Sequence, residues 1–261
     1  QRLAARQLVV EAHRCITGRE RARADVLPTC VLDLGCGTGL ATRAWLDQLQ
    51  QSGQPGPDQV LLVDQAAAMV ERARAVVAER HGAVAGVVLD AFQPEAVGVL
   101  APQLPPHGSR LLLSSYALQW SPTPLTVLQR VWAPLLRAGD WLAVAVPDAG
   151  SFQVLRRALA AAELPSHLLK LPDQQALLGP AAQRALASQF HWVACGSFAN
   201  GVPVPSALAY LRHFALIGAR PQRSPYSRSQ LVRLRRCLDQ QLSLGAAELD
   251  YHSTWMLLRR A

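Results

Sequence analysis

Val31-Leu32-Asp33-Leu34-Gly35-Cys36-Gly37-Thr38-Gly39 carries an apolar run into a G-x-G-x-G turn, and residues 40–49 continue from it with helical periodicity. This is a strand–turn–helix unit. Glycine suits such a turn because a ligand can lie against bare backbone and because left-handed φ values cost it little. The helix that follows offers free N–H groups and the positive end of its dipole. Taken alone, the turn does not distinguish one nucleotide-like ligand from another.

Outward from the turn, strand and helix patterns alternate. Residues 30–34 read as a strand, 40–49 as a helix, and 50–58, rich in Gly, Pro and Gln, as a loop. Residues 60–63 form a strand ending at Asp64, 66–80 a helix, and 84–89 a strand ending at Asp90. The proline-rich stretch 92–109 reads as irregular, followed by a strand at 110–114, a helix at 124–136 and a strand at 140–146. Beyond Pro147 the rhythm changes, with helices at 151–162, 172–178, 205–217 and 227–242 and strands at 191–198 and 251–258. Residues 1–24 read as a helix with Leu3, Leu8, Val9, Ala12 and Ile16 on one stripe. The expected fold class is α/β: a doubly wound, mostly parallel, seven-stranded sheet with helices on both faces and helical additions. With no internal repeat and no long linker, residues 1–261 read as one domain. Its core falls at about 25–199 and 247–261, with helical cap elements at about 1–24 and 200–246.

Half of the residues are hydrophobic and 17% are charged, which suits a packed core and argues against disorder. Apolar runs such as 141–147 are too short to span a bilayer, and the polar, basic start is unlike a signal peptide. The chain starts at Gln1 without a methionine, so upstream residues are expected. Cys15, Cys30, Cys36, Cys195 and Cys237 show neither C-x-x-C nor metal-like spacing with histidine, which predicts thiols in a reducing cytoplasm and no metal site.

The net charge of +8 is unevenly placed. Residues 1–24 hold six Arg against two Glu, and residues 200–240 hold seven Arg against Asp239 alone. The body at 25–199 is slightly acidic, with eleven basic residues against thirteen acids. Either the arginine reflects a biased composition, since 25 of 26 basic residues are Arg, or the flanking segments meet an acidic partner.

In a doubly wound sheet, ligands gather at the carboxyl ends of the strands near the switch in strand order. Residues 33–39, Asp64, Asp90 and Ser114-Ser115-Tyr116 fall there by sequence. A carboxylate at Asp64 can accept both hydroxyls of a ribose, or it can cap the helix that follows. An acid at Asp90 is also ordinary turn chemistry. The turn lacks the G-x-G-x-x-G of dinucleotide dehydrogenases, and no G-x-x-x-x-G-K-[ST] phosphate loop is present.

The D-x-G-x-G-x-G arrangement, with Asp64 and Asp90, resembles the first motif of class I S-adenosylmethionine-dependent methyltransferases over about residues 28–147. That resemblance implies a Rossmann-like methyltransferase fold and a cofactor set of Asp33, Gly35, Cys36, Gly37, Gly39, Asp64, Gln65, Met69, Asp90, Ala91 and Ser114. Further blocks narrow it. Ser114-Ser115-Tyr116-Ala117-Leu118-Gln119-Trp120, Gly150-Ser151-Phe152-Gln153-Val154-Leu155-Arg156 and Leu211-Arg212-His213-Phe214-Ala215-Leu216-Ile217-Gly218-Ala219 are similar to stretches of the malonyl-acyl carrier protein O-methyltransferases of biotin synthesis. So are Ser227-Arg228-Ser229-Gln230-Leu231 and Tyr251-His252. Three departures stand out: Ser115 replaces that family's usual Asn, the interval 92–109 is longer and richer in proline, and no Phe, Tyr or Trp precedes Trp45, where the family carries an aromatic segment over the cofactor.

The resemblance implies a malonyl thioester on an acidic acyl carrier protein as methyl acceptor, with S-adenosylhomocysteine as the second product. Its carboxylate is already ionised at neutral pH, so no catalytic general base is expected. Arg212 and Arg156 are candidates to orient that carboxylate, because a guanidinium fork matches two oxygens. Gln119, Trp120, His213 and Tyr251 complete the expected substrate set. The basic stretch 227–242, with Arg228, Arg233, Arg235 and Arg236, is the expected docking surface for the carrier protein on a cytoplasmic monomer without membrane or nucleic-acid partners. A nucleic-acid methyltransferase would share the fold, but Ser-Ser-Tyr-Ala after the fourth strand is not the Asn/Asp-Pro-Pro-Tyr/Phe type, and no basic stripe interleaves with aromatics. A small-molecule methyltransferase and a non-catalytic assembly factor would also fit the glycine turn.

Overall fold

In the computed structural model, which describes residues 1–18, 27–82, 84–216, 225–245 and 247–261, β1 (Cys30–Leu34) is buried along its whole length. A strand buried from end to end, apolar except for Asp33, fits the middle of a parallel sheet, where both faces are covered. β2 (Gln59–Asp64) and β4 (Arg110–Ser115) flank β1, and both run parallel to it. Leu32 lies opposite Leu61 on one side and Leu112 on the other. β3 (Val84–Val88) adds to β2, and β5 (Trp141–Pro147) adds to β4, again parallel. With β6 (Phe190–Pro203) and β7 (Glu248–Arg260), the order is β3-β2-β1-β4-β5-β7-β6. The Arg260 N–H donates to Asp140 O at 2.8 Å and the Asp148 N–H to His252 O at 2.9 Å, so β7 runs antiparallel to β5. Strand order reverses between β1 and β4, which opens the crevice at their carboxyl ends.

The chain divides into two compact units: Gln1–Val146 with Gln174–Ser197 and Thr254–Ala261, and Pro147–Asp173 with Phe198–Ser253. In the first, α2 (Leu40–Gln51), α3 (Ala67–Ala78) and α1 (Arg2–Thr17) pack in series, α1 lying on α2. His13 meets Trp45 edge-on at 5.9 Å, and its Nε2 lies 2.6 Å from Gln54 Oε1. The opposite layer contains α4 (Glu95–Leu100), α5 (Pro124–Val127), α7 (Gln174–Leu178) and α8 (Pro180–Leu186), and its residues Leu100, Val127, Leu177 and Leu186 share a buried cluster with Leu32, Leu61, Leu112 and Trp132. Burying each such side chain contributes roughly 1.5–3 kcal/mol.

In the second unit, α10 (Arg228–Leu244) packs against α6 (Gln153–Ala161) and α9 (Ala207–Leu216). Ser227 and Gln230 form a capping box: Ser227 Oγ accepts the Gln230 N–H, and Gln230 Oε1 accepts the Ser227 N–H at 2.8 Å. Leu234, Leu238 and Leu242, four residues apart, bury one stripe and leave the arginines outside.

Several sequence expectations are corrected. Residues 92–109 are not irregular throughout, because Pro94 occupies the N-cap of α4, where a missing N–H costs nothing. Residues 124–136 stay helical but change winding, with a π turn at Leu128–Trp132 and a 3-10 turn at Ala133–Leu135 that takes Pro134 near its start. α8 starts on Pro180, where the sequence pattern predicts no helix. The parts of the expected helices 1–24 and 205–217 at 19–24 and Ile217 lie outside the described residues. Among the described residues, no helix is long and apolar enough to cross a membrane.

Candidate functional site

Gly35, Gly37 and Gly39 all take positive φ, of 71°, 51° and 77°. Gly35 is required for a second reason: a Cβ there would stand 2.2 Å from the Cβ of Ala117, so the turn after β1 lies against the segment after β4. The Gly35 and Cys36 N–H groups donate to Val63 O at 2.8 and 2.9 Å, tying the turn to β2. Gly37 is different. A Cβ there would meet nothing within 4 Å, so its backbone faces open space.

Asp64, at the end of β2, completes the turn. Its Oδ2 accepts the Gly37 N–H at 2.9 Å and its Oδ1 the Ala66 N–H at 2.9 Å. Each oxygen keeps lone-pair capacity for a hydroxyl. The N-cap of α3 is Ala66, so Asp64 closes the turn before the helix and does not cap it. Gln65 and Met69 lie exposed beside it. Asp90, after β3, accepts the Phe92 N–H at 3.0 Å and Gln93 Nε2 at 3.1 Å, and Ala91 is buried with its carbonyl held by Trp132 Nε1 at 2.8 Å. The open backbone of Gly37, the carboxylate of Asp64 and the exposed Gln65 and Met69 fit a nucleoside-bearing group.

Asp33 supports this surface from below. It is 1% exposed, and its Oδ2 accepts the Thr42 hydroxyl at 2.6 Å, which fixes the first turn of α2. Burial pushes its carboxyl up to about 6, against the Thr42 hydrogen bonds. Of the expected cofactor set, Asp33 is thus the buried member that orders the helix start. Ser114, also of that set, has a fully buried hydroxyl that donates to Leu34 O at 2.8 Å and braces β4 against β1. The Cys36 thiol is buried, which raises its pKa strongly.

After β4, Tyr116 takes φ 59°, a left-handed conformation that a side chain resists. Gln119 stabilises it by donating Nε2 to Tyr116 O at 2.7 Å, while the buried Gln119 Oε1 has no partner among the described residues. Trp120 is 44% exposed, so it is no core residue.

The second unit gathers the remaining candidates. Phe152, also left-handed at φ 61°, packs edge-on against Phe214 at 4.7 Å and Tyr251 at 4.9 Å. His213 Nε2 lies 2.6 Å from Tyr251 Oη, and burial lowers the His213 pKa. Arg156 is half-buried and donates Nε to Ser151 O at 3.3 Å, whereas Arg212 is exposed. Sequence reasoning gave no role to Asp148. Its buried carboxylate takes His252 Nδ1 at 2.8 and 2.7 Å and the Gly150 N–H at 2.8 Å, and Ser151 Oγ clamps the His252 backbone at both N and O. No sequence signal joins two residues 104 positions apart.

Residues 31–135 match the family model described as a methyltransferase domain. No curated protein matches the sequence. Among solved structures, a Bacillus halodurans C-125 protein assigned as a methyltransferase is similar at a TM-score of 0.58 and 16% identity, covering 98% of this chain and 97% of its own. An S-adenosylmethionine-dependent methyltransferase from Anabaena variabilis follows at 0.56 and 13%, covering 98% and 84%. Loganic acid methyltransferase with S-adenosylhomocysteine gives 0.55 and 16%, covering 99% and 92%. These likenesses establish the Rossmann-like methyltransferase fold, and the family match falls on the segment that holds the glycine turn, Asp64 and Asp90. Residues 31–135 thus match a methyltransferase-domain model within a chain that has the methyltransferase fold.

Proposed function

We propose that the chain methylates the free carboxylate of a malonyl thioester carried on acyl carrier protein, an early step of biotin synthesis. The observation that carries this reading is a convergence inside the second unit. Phe152, from the block at 150–156, meets Phe214, from the block at 211–219, and Tyr251, from the last block. Three stretches similar to one family's sequence thus build one aromatic cluster, with His213 bonded to Tyr251 at its edge.

When bound at the turn, the cofactor supplies a methyl group on a cationic sulfonium. The protein's own task is then to hold an anionic acceptor and exclude water. A carboxylate is ionised at neutral pH and needs no general base. Positioning supplies the rate, and a dry site favours the meeting of opposite charges. Arg156 is the better of the two guanidinium candidates: Ser151 O holds its Nε, and its Nη groups remain for two carboxylate oxygens.

The exposed face of α10 supplies the carrier-protein dock. Arg228, Arg233, Arg235 and Arg236 are exposed there, and Val232, 70% exposed, lies in a groove with Arg235 and Arg236. Acyl carrier proteins are strongly acidic, so the charges are complementary.

Incubating the chain with methyl-labelled S-adenosylmethionine and malonyl-carrier protein, with tRNA as the control acceptor, tests the reading. Base-labile label on the carrier protein is expected. Absence of methyl ester while S-adenosylhomocysteine still binds by calorimetry overturns it.

A further inference from the structure

Away from the cofactor turn, the outer face of α2 forms the floor of a cavity of about 600 Å³ between α1 and α3. Arg2 and Arg6 of α1, Arg43 of α2 and Arg72 of α3 line it, and among the described residues Asp47 is its one acid. Asp47 is already engaged, by Arg80 at 2.9 Å and by Arg43 at 3.9 Å. Arg43 also reaches Glu79 at 3.4 Å. Arg2, Arg6 and Arg72 have no ion pair or hydrogen bond among the described residues. Elsewhere arginines on these helices are matched, as Arg14 is by Glu11 and Arg74 by Glu71.

Such an arrangement works against the protein alone. Arg2 and Arg6 are four residues apart on one helix, a spacing at which like charges face and repel each other. Arg72 adds a third unmatched cation from another helix. A bound anion carrying several charges removes these repulsions together. Guanidinium groups suit phosphate oxygens in particular, since each presents a planar fork of donors. The cavity volume lies within the usual range for small-molecule sites, roughly 300–1,000 Å³.

The geometry points to a second ligand site, for a small molecule bearing two or more phosphates, on the outer face of α2. It is distinct from the cofactor turn: of the turn's residues only Thr38 reaches its wall, and neither Gly37 nor Asp64 lines it. The ligand contributes charge recognition by Arg2, Arg6 and Arg72, with Arg43 shared between the ligand and its two carboxylates.

Isothermal titration of the whole chain with tripolyphosphate, with and without saturating S-adenosylhomocysteine, tests this. One-to-one binding is expected, weakening with salt, and unchanged by S-adenosylhomocysteine. Arg6→Gln with Arg72→Gln should weaken it at least tenfold, while S-adenosylhomocysteine affinity and melting temperature stay within error. Arg14→Gln, outside the cavity, should leave it unchanged. ATP in place of tripolyphosphate distinguishes a nucleotide from a bare oligophosphate as the source of the phosphates. No binding, equal loss in the Arg14 variant, or competition with S-adenosylhomocysteine overturns the site. Tighter capture of a polyglutamate peptide than of tripolyphosphate through the same arginines also overturns it, in favour of an acidic protein surface.

Discussion

Asp64 and Gly37, 27 residues apart, are joined by a 2.9 Å hydrogen bond from the glycine N–H to the carboxylate, so the end of β2 fixes the turn after β1. The same carboxylate keeps lone pairs that a ligand's hydroxyls would use. Asp64→Ala should weaken S-adenosylhomocysteine binding at least tenfold, about 1.4 kcal/mol or more, because a charged acceptor and the ordering of Gly37 disappear together. Calorimetry reads this directly. An unchanged affinity would show that the carboxylate serves the turn alone.

The two glycines of the turn should fail in different ways. Gly35→Ala places a methyl group 2.2 Å from the Cβ of Ala117 at φ +71°, and it should cost about 3 kcal/mol of stability from left-handed strain and overpacking. Gly37→Ala, with open space around its Cβ, should cost only about 1–2 kcal/mol. It should nevertheless lose most cofactor affinity, since the methyl group projects where a ligand would lie. Melting curves and calorimetry on both variants separate the effects. Equal destabilisation, or normal binding by Gly37→Ala, contradicts the assignment.

Much of this half of the site was legible because strict chemistry left a local trace. Glycines mark the positive-φ positions of the turn, a carboxylate ends β2 and another follows β3, and largely apolar runs mark the inner strands. What stayed hidden depends on long-range contact or on conformation. Asp33 and Ser114 carry polar side chains of the kind a ligand uses, yet both spend them on Thr42 and Leu34 beneath the surface. Tyr116 and Phe152 take left-handed conformations that their residue type disfavours. The prolines of 92–109 make that stretch read as irregular, although a proline at the start of a helix, as at Pro94 and Pro180, loses no hydrogen bond.

Asp33 makes stability depend on pH. Its carboxyl is raised by burial from the ordinary 3.8 to about 6, so the folded chain holds that proton more tightly than the unfolded chain. Below about pH 4 both states are protonated, and above about pH 6 both are ionised. Between these limits folding takes up a proton, so this group's contribution falls as pH rises and then stays level, over a span on the order of 3 kcal/mol. Asp33→Asn keeps an acceptor for Thr42 and removes the titration. Relative to the parent, the variant should be more stable at about pH 7.5 than at about pH 4. A stability difference that does not change with pH rules the argument out.

Within the second unit, Gly150 leaves no room beside the His252 ring: a Cβ there would stand 2.9 Å from His252 Cγ and 3.0 Å from Asp148 Oδ1. Gly150→Ala should therefore displace the ring. If His252 takes part in holding the acceptor, the Michaelis constant for malonyl thioester should rise several-fold with S-adenosylhomocysteine affinity intact. A lower melting temperature with unchanged kinetics would leave the Asp148–His252 pair a structural clamp.

The arginine face of α10 offers the clearest separation of docking from chemistry. Arg233 and Arg236 are exposed and make no ion pair among the described residues, whereas Arg235 has Asp239 at 3.8 Å. Reversing the first two to Glu changes the local charge by four while leaving the buried stripe Leu234, Leu238 and Leu242 untouched. Against an acidic carrier protein, that reversal should raise the Michaelis constant roughly tenfold at low salt, and the effect should shrink as salt screens the charges. A malonyl thioester of a small thiol has no acidic surface to repel. It should be methylated by the variant at the parent's rate, and an equal loss with that substrate would mean that these arginines act on the acceptor site itself.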